Sequence, residues 1–288
     1  MPPPIVATAP ARAALAGNPS DLYGGAVLAV PVTSFTARVD VRDAPATTIV
    51  GDERGRDLVA AAIRRAPATD APFQLRWSSD IPFAVGLAGS SAIVVATLRA
   101  LAARAGAELD ALDLALLALA VEVEELGMVA GLQDRATQAF AAPVLVDMAA
   151  TERVTVVRPA RPVRIAVAWC EAAGASSDEY HRDLRASEPP RMDELAALAR
   201  RAAGALAAGD ATALATVMGE SAAVRSTVAP LSAAHDTLAA AVTDAGLVPN
   251  SAGSGGAVAA VVTDDDSLER ARGAVRGLGG DVVVETFG

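Results

Sequence analysis

Three glycine-rich turns, set far apart in the chain and each running straight into an apolar segment, constrain the fold more than any other feature. They are AGNPSDLYGG at 16–25, AVGLAGSS at 84–91 and NSAGSGG at 250–256. A glycine-rich turn at a helix start lets a ligand reach backbone N–H groups that have no intrahelical partner, which makes an anion site. The middle turn opens such a helix, with Gly86, Leu87, Ala88, Gly89, Ser90 and Ser91 ahead of AIVVATLRAL. A plainer reading stays open, in which Ser90 or Ser91 only caps the helix. The other two turns each precede a strand and, taken singly, read as tight turns.

Between the turns, strand and helix patterns alternate. Residues 26–41 read as one or two strands and 57–66 as a helix, while 73–79 form a strand with Phe73, Leu75 and Trp77 on one face. A helix is expected from about Ser91 to Arg104 and another over 111–126. In the latter, the 100° spacing puts Leu112, Leu116, Leu119, Ala120 and Val123 on the core face, with Glu122 and Glu124 flanking it and Glu125 pointing away. Strands follow at 143–147, 154–157 and 163–169, then a polar stretch at 174–191 that reads as a long loop. Alanine-rich helices at about 192–208, 211–226 and 230–245 precede a strand, a helix at 266–278 and a closing strand. Strands followed by runs of helices indicate an α+β fold. A chain of 288 residues suits two domains of about 130 to 150 residues.

Composition removes whole function classes. All 24 basic residues are arginine, so a Walker A loop, a protein kinase and a pyridoxal enzyme, each of which needs a lysine, are excluded. One cysteine and two histidines build neither a Cys/His zinc site nor a disulfide, which fits a reducing compartment and makes cytoplasm the expectation. A net charge of −10 argues against nucleic acid or an anionic membrane as partner. The N-terminus lacks the pattern of a signal peptide, and apolar runs of about ten residues are too short to span a bilayer.

In their order and spacing the three turns resemble the three motifs of the GHMP kinases, the superfamily of galactokinase, homoserine kinase, mevalonate kinase and phosphomevalonate kinase. RAALAGNPSDLYGG carries Arg12 in the basic slot of the first motif, PFAVGLAGSSA at 82–92 matches the second, and AGSGGAV is a weaker form of the third. VEVEELGMVAGLQDR at 121–135 resembles the family's acidic helix residue and following aspartate, and its wording is similar to the glucuronokinase branch. The first motif departs from the Gly-Glu-His of galactokinases, and Asn250 and Ser251 stand where many members carry Lys and Thr.

The resemblance implies a two-domain α+β GHMP kinase fold. Residues 1–155 would form a ribosomal protein S5 domain 2-like unit holding the phosphate loop, and 156–288 a ferredoxin-like α/β sandwich. It implies a phosphotransferase that moves the γ-phosphate of ATP, with Mg²⁺, to an alcohol group of a small sugar or sugar acid, with glucuronate to glucuronate 1-phosphate first. Ser91 and Glu122 would hold the metal, with Glu124 as the alternative to Glu122, and Asp134 would accept the hydroxyl proton. Arg12 would steady the developing charge on the phosphoryl group or lower the pKa of the attacking hydroxyl. Gly86 to Ser91 and Gly253, Ser254 and Gly255 would hold the nucleotide, and Asn18, Asp21, Tyr23, Arg135, His181 and Arg185 the substrate. Arg135, with Arg182 or Arg185, would pair with a carboxylate. Each has a plainer alternative: Glu122 as a solvated helix carboxylate, Asp134 as a cap or partner of Arg135, Asp21 as a turn residue, and His181 and Arg185 as solvated loop residues. The protein would be a monomer or homodimer. A mevalonate kinase or other metabolite kinase of the family, and a non-catalytic nucleotide-binding regulator of the same fold, are the competing functions.

Overall fold

An alanine-rich strand that no periodicity announces forms the spine of the molecule. In the computed structural model, which describes residues 3–67, 71–174 and 191–288, β1 (Ile5–Ala16) pairs antiparallel with β2 (Ala26–Asp43). Every residue of β1 from Ala9 to Ala16 is buried. Successive strand side chains face opposite ways, so both faces of β1 are covered. Small residues suit that position, and they erase the alternation by which a strand is read. The register slips between Pro10 and Ala11, as expected where proline cannot donate to the ladder.

Along its other edge β2 serves two partners, β5 (Val144–Asp147) at Ala26–Ala29 and β4 (Phe73–Ser79) at Ala37–Asp43. β3 (Thr48–Val50) adds parallel to β4 and β6 (Val154–Val156) antiparallel to β5, completing a six-stranded sheet. Helices α1 (Arg56–Arg65), α2 (Gly89–Ala105), α3 (Ala111–Ala120) and α4 (Gln133–Phe140) belong to this half, and α2 and α4 pack on β1 and β2. The second half runs β7 (Val163–Trp169), α5 (Met192–Ala208), α6 (Ala211–Val228), α7 (Ala233–Asp244), β8 (Pro249–Ser251), β9 (Ala257–Val261), α8 (Asp265–Gly277) and β10 (Asp281–Phe287). Its sheet is antiparallel in the order β10-β7-β9-β8, the arrangement of a ferredoxin-like sandwich.

The two halves share one core. α5 packs back onto β1 and β2, and Leu195 and Leu206 join Leu28, Leu75 and Leu98 in a continuous apolar cluster. A smaller cluster, including Leu238, Val242, Leu268 and Val275, lies under α7 and α8. The sheets are also tied by Glu285 of β10, which accepts bonds from the Thr33 hydroxyl at 2.6 Å and from the Ser34 amide and hydroxyl at 2.9 Å each. Among the described residues no helix is long and apolar enough to cross a membrane.

The expected strands and helices appear within a few residues of their positions, with 26–43 a single strand and α7 beginning at Ala233. One expectation is corrected. In α3 and the π turn that follows at Val121–Glu125, the inward residues are Leu114, Ala115, Ala118, Val121 and Glu122, while Leu112, Leu116 and Val123 are exposed. A segment apolar all round carries no facial signal, so packing against α2 and α4 chooses the face. Glu285→Ala should lower unfolding free energy by about 2 kcal/mol, the value of hydrogen bonds to a charged group, with an unchanged denaturant slope. Urea unfolding reads this, and a change under 0.5 kcal/mol would contradict the tie.

Candidate active site

The edge of β1 turned away from β2 fixes two of the glycine-rich turns. Arg12 N–H donates to the Leu87 carbonyl at 3.1 Å and Ala14 N–H to the Ala252 carbonyl at 2.9 Å. The second and third turns are thereby brought backbone to backbone. A Cβ on Gly253 would lie 2.1 Å from the Gly86 oxygen, and one on Gly86, whose φ is +76°, would lie 2.7 Å from the Gly255 oxygen. Only glycine allows that approach.

At the start of α2, Ala88 is the cap residue in left-handed conformation (φ 58°), and no side chain caps the helix. The reading of Ser90 or Ser91 as a mere cap is therefore corrected. The amides of Gly89, Ser90 and Ser91 lie in the first turn, without intrahelical acceptors, and these residues line a cleft of about 640 Å³. Gln138 holds the strained cap through a 2.8 Å bond from its side-chain amide to the Ala88 carbonyl.

The cleft gathers most of the expected residues: Arg12, Asn18, Asp21, Gly86 to Ser91, Glu122, Asp134, Arg135, Gly253 and Ser254. Gly255 instead presents its carbonyl to Gly86, and Tyr23 packs on the main core; neither lines the cleft. His181 and Arg185, with Arg182, lie outside the described residues. Glu124 is on the outer surface, paired with Arg65 at 2.6 Å, so Glu122 is the acidic residue of this helix that reaches the cleft.

A buried charge network runs along the cleft floor. Arg12 pairs with Asp134 at 2.5 Å and donates to the carbonyls of Ala252 and Gly86. Arg135 donates to the Gly131 carbonyl at 2.7 Å, lies 3.4 Å from the second Asp134 oxygen, and pairs with Glu122. Burial pushes the Asp134 carboxyl above the usual aspartate value, against the pull of Arg12. Burial, then the neighbouring Arg12 charge, lowers Arg135 from the ordinary guanidinium range.

Asp21 accepts from the Gln133 amide at 3.2 Å, and the Gln133 side chain donates to Asn18 at 2.9 Å. Burial raises Asp21 from 3.8 to about 6, opposed by the bond from Gln133. Gly131 allows this packing, since a Cβ there would meet Asp21 Oδ2 at 2.2 Å.

Sequence reasoning missed several contributors. Arg225 of α6 donates to the carbonyls of Asn18 at 3.0 Å and Gly253 at 2.8 Å, tying the first and third turns. His235 accepts from the Gly256 amide at 3.2 Å, and burial lowers it to about 4. Leu58, Trp77, Ile81 and Phe83 form an apolar wall. The strand pattern puts Trp77 on one face with Phe73 and Leu75, and it both joins the core and lines the cleft, which no spacing signal distinguishes.

Ser91 and Glu122 supply the oxygen donors that Mg²⁺ prefers. Glu122 is wholly buried, and its Oε1 has no hydrogen-bond partner among the described residues. The Ser254 hydroxyl is likewise unpartnered there. No described cluster of three or more His, Cys, Asp or Glu could hold a metal unaided. Mg²⁺ takes one or two carboxylates and completes its shell with water and phosphate, and Glu122 offers one carboxylate to the cleft.

Residues 56–142 match the family model described as the GHMP kinases N terminal domain. Over 93 residues, 32% of this chain, the sequence is 36% identical to the D-glycero-alpha-D-manno-heptose 7-phosphate kinase of Campylobacter jejuni, and the match spans 26% of that protein's length. The structure superposes on Streptococcus pneumoniae phosphomevalonate kinase in complex with phosphomevalonate and AMPPNP with a TM-score of 0.85 at 17% identity, covering 98% of this chain and 100% of that one. Lactococcus lactis galactokinase complexed with galactose gives 0.80 at 17% identity, covering 98% and 93%. The chain has the fold of the GHMP kinases, and the family match covers residues 56–142.

Two variants test this geometry. Gly253→Ala should cost about 1–3 kcal/mol or more, because a new methyl meets backbone; unchanged urea unfolding would contradict the close approach. A folded-state value near 6 for Asp21 means the fold favours the neutral acid, a contribution present below 3.8 and lost as pH rises through 6. The stability of Asp21→Asn relative to wild type should therefore rise between about pH 4 and about pH 6 and then level off, by on the order of 3 kcal/mol. Thermal unfolding against pH reads the difference, and a pH-independent offset would contradict it.

Proposed function

We propose that this chain is a GHMP kinase that transfers the γ-phosphate of ATP to a hydroxyl of a sugar or sugar acid, with glucuronate phosphorylated at its anomeric hydroxyl as the first choice. The observation that carries the reading is the buried Arg12–Asp134 pair, set between the open amides of α2 and the third glycine turn inside one cleft. Phosphoryl transfer needs little else from a protein: positioning, donors on the transferring oxygens and a group on the attacking hydroxyl.

In this reading Asp134 accepts the hydroxyl proton, with Arg12 holding its carboxylate in place. Arg12 also offsets charge developing on the phosphoryl oxygens. The amides of Gly89 to Ser91, with Gly86, Leu87, Ala88, Gly253 and Ser254, take the phosphates, and the apolar wall around Trp77 suits a planar base. Ser91 and Glu122 hold Mg²⁺, which when bound offsets the charge of the phosphates. Asn18 and Asp21 meet sugar hydroxyls. The glucuronate choice rests on the wording of GNPSDLYGG and LGMVAGLQDR. A sugar phosphate is the second reading, favoured by the match to the heptose 7-phosphate kinase.

The chain divides in this reading near residue 155, within β6, the last strand of the six-stranded sheet, and the four-stranded sheet follows. It acts in the cytoplasm as a monomer or homodimer, and its net charge of −10 supports the absence of nucleic-acid and membrane partners.

ADP release from Mg²⁺ and ATP, measured with glucuronate, galactose, mevalonate, homoserine and a heptose phosphate, tests the reading. Stimulation by glucuronate or another sugar is expected; stimulation by none leaves a non-catalytic nucleotide-binding protein. Asp134→Asn should lower kcat by about 10²–10⁴-fold with KM within a few-fold, and an unchanged kcat would contradict the role of Asp134.

A further inference from the structure

Arg135 stands where two demands meet. It lines the cleft beside Asp134, the place to receive an acid group on a substrate, yet its guanidinium is already engaged. One nitrogen pairs with Glu122 and another donates to the Gly131 carbonyl at 2.7 Å. Arg12, the other guanidinium on this network, is fixed on Asp134 and on the carbonyls of Gly86 and Ala252. Arg135 is the guanidinium whose close carboxylate partner is a residue read above as a metal ligand.

Glu122 is wholly buried. Removing its only ion-pair partner among the described residues would leave an uncompensated charge. The pair therefore stays closed until another cation meets the carboxylate. A divalent ion and a guanidinium on one carboxylate repel each other, so each weakens the hold of the other.

We propose that Arg135 reads a carboxylate on the substrate, and that it becomes available to do so only when Glu122 is taken up by the metal of the bound nucleotide. The inference rests on the kinase reading and deepens it by naming the residue that selects an acidic substrate. Arg135 exchanges one carboxylate for another, Glu122 is never left without a cation, and between the two partners Arg135 keeps Asp134 at 3.4 Å. Its planar fork suits two parallel bonds to a carboxylate. The exchange couples the two ligands. Metal–nucleotide tightens the acid, and by linkage the acid tightens metal–nucleotide by the same factor. A neutral sugar offers Arg135 hydroxyl oxygens but no charge to replace that of Glu122, so its coupling is weaker.

Isothermal titration calorimetry of the full chain tests the exchange, with glucuronate and galacturonate as acids and glucose and galactose as neutral counterparts, each with and without Mg·AMPPNP. In wild type, Mg·AMPPNP should tighten at least one acid roughly tenfold or more, and its neutral counterpart less. Glu122→Gln, which frees Arg135 permanently, should bind that acid without nucleotide about as well as wild type does with it. Arg135→Gln should lose the preference for acid over neutral sugar and bind Mg·AMPPNP at lower Mg²⁺ than wild type, an arm that does not depend on Glu122→Gln folding. Equal coupling for acid and neutral sugar, no gain in folded Glu122→Gln, or no acid bound by a wild type that binds Mg·AMPPNP would overturn the exchange and leave the kinase reading standing. Failure of wild type to bind Mg·AMPPNP would overturn both.

Discussion

Two amides on the free edge of β1, those of Arg12 and Ala14, are donated to the carbonyls of Leu87 and Ala252. These contacts join segments that lie far apart in the sequence, and they set the second and third glycine turns side by side. The approach of Gly86 to Gly253 follows from them, because two loops held on amides only two residues apart on one strand have no room for a side chain between them. Arg12 leaves the strand at the same point. Its guanidinium donates to carbonyls of both loops and pairs with Asp134 of α4. A shift of β1 would displace the loops, the guanidinium and the carboxylate together.

The absence of lysine is consistent with this construction. Buried guanidinium groups do the tying: Arg12 to Gly86 and Ala252, Arg135 to Gly131, and Arg225 to Asn18 and Gly253. A planar fork with five donors can hold several carbonyls and a carboxylate at once, whereas an ammonium offers a compact charge. On the acidic side Asp21 and Glu122 are buried and Asp134 half-buried among these arginines. The cleft is thus nearly balanced in charge although the whole chain carries −10. An anionic ligand meets local donors and is not drawn by a long-range field.

The motifs carried most of the site in the sequence because backbone requirements leave a mark there. Glycines appear where loops touch, and GLQDR places Asp134 and Arg135 at the start of a helix. Strands with alternating residues, such as 73–79, were legible for the same reason. β1 was not, because burial on both faces selects small residues and removes alternation. The inward face of α3 was misread because nearly every residue there is apolar. Glu122 emerges from that correction as a member of the buried face, four residues beyond Ala118, with Glu124 and Glu125 outside on Arg64 and Arg65. Arg225 was silent, since a lone arginine in an alanine-rich helix has no spacing that reveals two carbonyls from distant turns.

The measurement that bears most directly on the central claim is a crystal structure with Mg·AMPPNP bound. The expected density places the phosphates against the amides of Gly89 to Ser91 and between Gly86 and Ser254, with the metal on Ser91 and Glu122. Nucleotide bound outside this cleft, or phosphates turned away from the start of α2, would contradict the assignment of this site to phosphoryl transfer.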